Sequence, residues 1–587
     1  MRVMPSNCGG CAIVTSHNHR FLDRIVTHIL AIGGDRQTHM IEGTTNSKNP
    51  TNANASERRH TNERHRRIRC AGAAWRPDLL FVGVALRQTA SRLSVGQSEV
   101  LSGLLERNGK LMAHFFKYKS PAELLANAAQ LGLQNIAMSD DLSPMFAPIN
   151  VGGRTVGNRW AVQPMEGCDG TLDGAPDELT YRRYRRFGAG GAKLIWGEAT
   201  AIADDARMNP RQLWLHDGTA SAMETMLADC RTAHRESCGQ DDDLLVGLQL
   251  THSGRFSYQK PLIATHDPIL DPRTKDKSSG KIVDATYSLL SDDDLKRIED
   301  QYVAAAKLAV QIGCDFIDLK QCHRYLLSEL LAAKNRPGEY GGSLENRTRL
   351  IRNVITRVRA EFPQLLIASR FNAYDGIPYR GAGDAFIGEP CPHELPLVTA
   401  FGTDPNDHLR EELTEPLQLV RWLRDWGVSL LNVSMGNPYA NPHLVRPAEY
   451  APIDGYTSPE HPLFGIDRHF RITSRIQAEV DNIPVVGSGY SWLQEFMPQA
   501  AAANVSTGRV AFVGLGRGTL SQPDFVKQLA DTGRLDRKRV CRTFSYCTNL
   551  MRTKDHPLGQ YATGCPPFDK EAYGELWKEA EAKLTKR

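Results

Sequence analysis

Eight short apolar runs, each trailed by a helical pattern, limit this chain more than any other feature. The runs cover residues 160–165, 194–197, 245–250, 316–320, 366–371, 430–433, 484–487 and 510–515. Amphipathic stretches lie between them, at 292–312, 344–361, 416–426, 468–480 and 492–503. Apolar strands that alternate with helices build parallel sheet. Eight in succession predict an α/β fold: a closed (β/α)8 barrel with inserted loops. A doubly wound open sheet is the competing arrangement, but no G-x-G-x-x-G follows the first run. The barrel is expected over 144–535. A helical lead-in at 112–143 precedes it, opened by the capping box Ser120-Pro121-Ala122-Glu123. An extension at 536–587 ends in a charged amphipathic helix.

Residues 1–111 lack this texture. They carry 16 Lys and Arg against 8 Asp and Glu, while the rest of the chain carries 55 against 59. The stretch 44–62 is rich in Asn, Thr and Ser and runs into Arg58, Arg59, Arg64, Arg66, Arg67 and Arg69. Such a segment buries too little apolar surface to offset chain entropy. It is expected to be a disordered basic extension, either a solvated tail or upstream sequence read from an early start codon. A nucleic-acid-binding arm is the functional alternative. The mildly acidic main body argues against nucleic acid as a partner. No apolar run of about 18 residues exists, so no membrane-spanning helix is expected. Twelve cysteines in 587 residues fall short of a disulfide scaffold. With no secretory signal, a cytoplasmic location is expected, with unpaired thiols at Cys230, Cys238, Cys314 and Cys391.

A barrel of this kind carries its chemistry at the C-terminal ends of its strands. Run 1 ends in Gln163-Pro164-Met165-Glu166-Gly167-Cys168, run 2 in Glu198-Ala199-Thr200, run 3 in Gln249-Leu250-Thr251-His252-Ser253-Gly254-Arg255. Run 4 ends in Lys320-Gln321-Cys322-His323-Arg324-Tyr325 and run 5 in Arg370. Run 7 ends in Gly487-Ser488-Gly489 and run 8 in Gly514-Leu515-Gly516-Arg517-Gly518. Glycines at the last two ends let backbone N–H groups approach a phosphate, and Arg517 adds a charged fork. Gln249 offers both donor and acceptor to a planar heterocycle, and Arg370 can stabilise negative charge on a reduced ring. A phosphate with such a ring reads as FMN.

These runs resemble the old yellow enzyme family of FMN-dependent oxidoreductases, which includes the barrels of 2,4-dienoyl-CoA reductase and trimethylamine dehydrogenase. The resemblance spans residues 145–528. It is carried by Phe146-Ala147-Pro148-Ile149, Gln163-Pro164-Met165, Glu198-Ala199-Thr200, the Q-L-x-H-x-G-R run at 249–255 and Tyr340-Gly341-Gly342-Ser343-Leu344-Glu345-Asn346-Arg347. It implies that Pro164, Glu166, Ala199 and Gln249 line the isoalloxazine, that Arg370 sits by its N1–O2 side, and that Gly489, Gly516 and Arg517 hold the phosphate. At the end of run 4 the family has H-x-x-H-x-Y or N-x-x-H-x-Y, in which the pair binds a substrate carbonyl and the Tyr protonates the substrate carbon. Here His323 and Tyr325 match, and Lys320 stands at the first position. Its amine can donate to the same oxygen and favours an anionic ligand. Glu166 departs from the Thr or Cys of well-known branches and alters the charge beside the flavin.

Larger relatives continue into a four-cysteine iron–sulfur motif and a second redox domain. Here Cys541, Cys547 and Cys565 remain, with Phe544 where the second ligand would fall. A standard cluster takes four thiolates, so no metal is expected. The expected activity is reduction of an activated C=C by NADH or NADPH through FMN, with Tyr325, His323 and Lys320 catalytic. The partner is a small-molecule substrate, with neither nucleic acid nor membrane, and a homo-oligomer is compatible. The alternatives are an FMN-dependent dehydrogenase that oxidises an amine or other small substrate, and a flavin-free lyase acting on a phosphorylated substrate.

Overall fold

The computed structural model describes residues 115–383 and 385–584, together with the backbone of four earlier strands. Those four form two antiparallel pairs, Arg2–Pro5 with Ala12–Thr15 and His28–Ile32 with Thr38–Glu42. The extension read for the rest of 1–111 lies outside the described residues.

Each apolar run becomes a strand. They are β1 (Trp160–Val162), β2 (Leu194–Ala201), β3 (Leu245–Thr251), β4 (Phe316–Leu319), β5 (Leu366–Tyr374), β6 (Leu430–Met435), β7 (Val485–Gly487) and β8 (Phe512–Leu515). All pair in parallel in sequence order, and β8 pairs with β1 to close the barrel. Helices follow the strands: α1 (Glu178–Ala189), α2 (Asp217–Cys238), α3 (Asp292–Gln311), α4 (Arg349–Glu361), α5 (Thr414–Asp425), α6 (Pro462–Glu479), α7 (Met497–Ser506) and α8 (Phe525–Thr532). Local sequence sets their ends. Ser291 caps α3 through the N–H of Asp294, whose carboxylate reaches back, and Gly239 closes α2 at φ +87°.

Two apolar layers hold the barrel together. Outward-facing side chains of the strands, such as Ile195, Leu248, Ile317 and Val433, pack under the helices in one continuous core. Inward-facing Trp196, Phe316, Leu366, Val486 and Phe512 fill the N-terminal end of the barrel, beneath the hairpin Ile149–Val151 and Arg154–Val156. Each such side chain contributes roughly 1.5–3 kcal/mol by burial. The N-terminal end is therefore plugged, and polar groups gather at the other end.

That end carries the inserted loops. After β5 come two small hairpins, Tyr379–Ala382 with Ile387–Pro390 and Thr403–Asp404 with Asp407–Glu411. The extension beyond α8 packs back on the barrel: Thr563 N donates to Gly167 O at 2.6 Å, and Asp569 accepts from Arg182 at 2.7 Å. It ends in α9 (Lys570–Leu584). The described cysteines, including Cys230, Cys238, Cys314 and Cys391, are free thiols.

Candidate active site

The turn after β4 brings Lys320, His323 and Tyr325 together. His323 and Arg324 both adopt left-handed backbone, φ +64° and +62°, which non-glycine residues enter at a cost. Arg324 is pinned by ion pairs to Asp267 at 2.6 Å and Asp375 at 3.1 Å. His323 Nε2 shares a 2.9 Å hydrogen bond with Ser434 Oγ, and its backbone carbonyl accepts from Asn437 Nδ2 at 2.9 Å. Burial, with Arg370 and Lys320 nearby, holds the imidazole well below its ordinary pKa, so it is neutral at pH 7.

Tyr325 is buried. Its hydroxyl contacts Met208 Sδ and lies 3.3 Å from the hydroxyl of Tyr439, while Phe256 packs against both rings. Burial raises the phenol well above its usual pKa, which keeps the proton in place. Lys320 Nζ sits 3.5 Å from the centroid of the Tyr325 ring, a cation–π contact. Burial pulls the Lys320 pKa down.

The predicted ring-contacting residues surround the same mouth. Pro164, Ala199 and Gln249 are buried. The Ala199 carbonyl accepts from Gln212 at 2.9 Å, where a register shift in β2 sends Glu198 outward to Arg183 at 2.6 Å. Gln249 Nε2 donates to Asp318 at 2.6 Å, which leaves its amide oxygen to accept. Asp318 also accepts from Trp196 Nε1 and the N–H of Arg370, each at 2.7 Å. Burial lifts the Asp318 carboxyl to about 6. Glu166 is half-buried and accepts from Asn209 Nδ2. Burial lifts its carboxyl to about 7, opposed by the positive charge of Lys320.

A second group lies at the ends of β7 and β8. Arg517 donates to Thr548 Oγ1 from the extension. Burial and the neighbouring Arg446 push Arg517 down to about 10. Arg446 Nη2 donates to Cys541 Sγ at 3.2 Å, and its Nε and Nη1 have no partner among the described residues. Gly489 holds φ +96°. A Cβ at Gly516 would meet nothing nearer than Met165 Sδ at 3.5 Å, and one at Gly518 only Ser491 Oγ at 3.8 Å, so this backbone is left bare. Unsatisfied guanidinium nitrogens beside bare backbone suit a phosphate. Arg370, whose buried Nε has no partner among the described residues, suits an electron-rich ring edge. The residues present therefore fit FMN. Sequence reasoning named Arg517 and both glycines, and missed Arg446, Thr548, Tyr439, Met208 and Ser434. None of these lies in a motif, because they come from the loops after β2 and β6, the end of β6 and the extension. Among the described residues, no three His, Cys, Asp or Glu side chains are disposed to hold a metal ion.

The strands define a closed parallel barrel with a polar mouth, and comparison with known proteins shows what it is similar to. Residues 144–383 match the profile of the NADH:flavin oxidoreductase / NADH oxidase family. Over those residues the chain is similar to that family. The matched span ends at the tip of the first hairpin after β5. An NADH:flavin oxidoreductase of Gibberella zeae is 28% identical over 252 residues, which cover 40% of this chain and 58% of that protein. An NADPH dehydrogenase of Bacillus licheniformis is 25% identical over 392 residues, 66% of this chain and 94% of that one. A solved 2-naphthoyl-CoA reductase superposes with a TM-score of 0.53 at 15% identity, covering 74% of this chain and 58% of its own, a likeness of fold. The chain thus spans little more than half the length of the Gibberella protein and of this reductase. No described helix is long and apolar enough to cross a membrane.

Proposed function

We propose that this chain binds FMN and uses NADH or NADPH to reduce an activated C=C of enone or enoyl type. The observation that carries the reading is the turn after β4. There a buried neutral phenol, a neutral imidazole and the Lys320 amine stand together beside a guanidinium whose Nε has no partner among the described residues.

Bound FMN supplies two-electron hydride transfer. Arg517 and Arg446, with the bare backbone at Gly516 and the turn at Gly489, would hold its phosphate. Pro164, Glu166, Ala199 and Gln249 would line the ring, and Arg370 would stabilise negative charge at its edge. His323 and Lys320 would donate to the substrate carbonyl oxygen as charge gathers there. Preorganised donors of this kind contribute about 3 kcal/mol or more. The Tyr325 hydroxyl would give its proton to the substrate α carbon, held in aim by Tyr439 and Met208.

The test is the absorption spectrum of the purified protein, then anaerobic titration with NADH and NADPH, then addition of 2-cyclohexenone. A yellow protein that bleaches and recolours is expected. A colourless protein, or a bleached one that the enone does not reoxidise, overturns the reading.

A further inference from the structure

Most of the deeply buried cations among the described residues are paired. Arg183 faces Asp169 and Glu198, Arg255 faces Asp271 and Glu329, Arg324 faces Asp267 and Asp375, and Arg347 faces Glu415. Two neighbours in the barrel mouth break the pattern. Lys320, only 5% exposed, has no carboxylate within ion-pair distance among the described residues, and its ammonium rests on the face of Tyr325. Arg370, 9% exposed, makes no side-chain hydrogen bond among the described residues, and its buried Nε has no partner among them. The positive charge of Arg370 disfavours that of Lys320.

The carboxylates that face them are committed elsewhere. Asp318 is held by Trp196, Gln249 and the N–H of Arg370. Glu166 is tied to Asn209 and stands beyond ion-pair distance of Lys320. The remaining titratable neighbours, Cys322, His323 and Tyr325, are neutral as thiol, imidazole and phenol. A charge buried without an answering group is costly, and burial already pulls the Lys320 pKa down; an anion bound in this mouth would favour its charged form.

Under the flavin reading just given, on which this inference rests, the ring edge answers Arg370 and leaves Lys320 open. We infer that the substrate is itself an anion, an alkene conjugated with a carboxylate, whose oxygens are taken by Lys320 Nζ and His323. An ammonium against the carboxylate offsets the negative charge that otherwise makes such an alkene a poor acceptor of hydride. A neutral amide of the same shape leaves Lys320 unanswered and is rejected.

Cinnamate and cinnamamide differ in this charge and little else. Each is titrated into the full-length protein as purified, with heat of binding as the readout and the flavin spectrum recorded in parallel. Cinnamate is expected to bind at least about tenfold more tightly, the usual advantage of a charge-assisted hydrogen bond. Lys320→Gln should abolish that preference, and Lys320→Arg should restore part of it, with circular dichroism confirming that both variants fold. Equal binding of the two ligands by the unaltered protein, binding of neither, or an undiminished preference in Lys320→Gln overturns the inference. A colourless protein that still prefers cinnamate through Lys320 overturns the flavin reading and leaves the anion site standing.

Discussion

Tyr325→Phe separates chemistry from architecture at this site. The substitution removes one hydroxyl and keeps the ring, so the packing against Phe256 at 5.7 Å and the contact with Lys320 at 3.5 Å persist. The lost hydroxyl partners are a thioether, which accepts weakly, and the Tyr439 hydroxyl, which keeps its own bond to Met208 at 2.9 Å. No buried group is left unsatisfied. The stability cost is therefore that of one ordinary hydrogen bond, about 1 kcal/mol. The cost to proton transfer is of another order. A positioned general acid contributes about 10²–10⁴ in rate, which corresponds to roughly 2.7–5.5 kcal/mol of barrier. The two half-reactions should respond differently. In anaerobic stopped-flow, bleaching by nicotinamide requires no proton from Tyr325 and should change little. Recolouring by 2-cyclohexenone should slow by about 10²–10⁴. Equal slowing of both halves, or of neither, refutes the assignment and returns Tyr325 to a packing role.

Arg517→Ala removes the central cation of the proposed phosphate site and should lower FMN affinity by at least about tenfold, read as flavin retained through gel filtration and as Kd by fluorescence. Glu166 binds its proton more tightly folded than unfolded, at about 7 against 4.5. Its contribution to stability is thus full below pH 4.5 and is lost as pH rises through 7. Glu166→Gln should flatten that decline in a series of Tm values against pH, and an unchanged slope would assign the titration elsewhere. Arg324→Ala leaves Asp267 and Asp375 buried without their cation and should destabilise the chain by about 3–5 kcal/mol in chemical denaturation. Cys541, Cys547 and Cys565 should carry no stoichiometric iron or sulfide in anaerobically prepared protein, since Phe544 takes the place of a fourth thiol and Arg446 already bonds Cys541.

What was legible in the sequence follows from how each feature is encoded. The barrel is written eight times over, as a short apolar run followed by an amphipathic helix, and each strand appeared where its run predicted. Strand-end residues were legible because a strand's end fixes where its next side chains go, which is why Tyr325, His323, Gln249 and Arg370 could be named. The direction of a long side chain is not written in this way. Lys320 occupies a position that suggests a donor to a carbonyl, yet four methylenes carry its ammonium onto the Tyr325 ring, a placement set by the tyrosine and not by sequence spacing. Nor is a partner legible when it arrives from a distant loop. Tyr439 follows β6 by a few residues, Met208 lies in the loop after β2, and nothing in either stretch marks them as supports for one phenol.

The cation cluster carries the same lesson into function. Arg517 stood in a recognisable turn and invited a phosphate, but one arginine at a barrel rim is as easily a solvated side chain. Its role gains weight from Arg446, which follows β6, and from Thr548, which belongs to the extension. The segment that holds the leftover cysteines therefore has present work. Cys541 accepts from Arg446 and Thr548 accepts from Arg517, so the extension orients both guanidinium groups at the mouth of β7 and β8. The segment that carries the three cysteines is thus not idle sequence, since Cys541 itself holds Arg446. They sit in a strap that positions the charges of the proposed phosphate site, and under that proposal substitutions there should loosen FMN before they loosen the barrel.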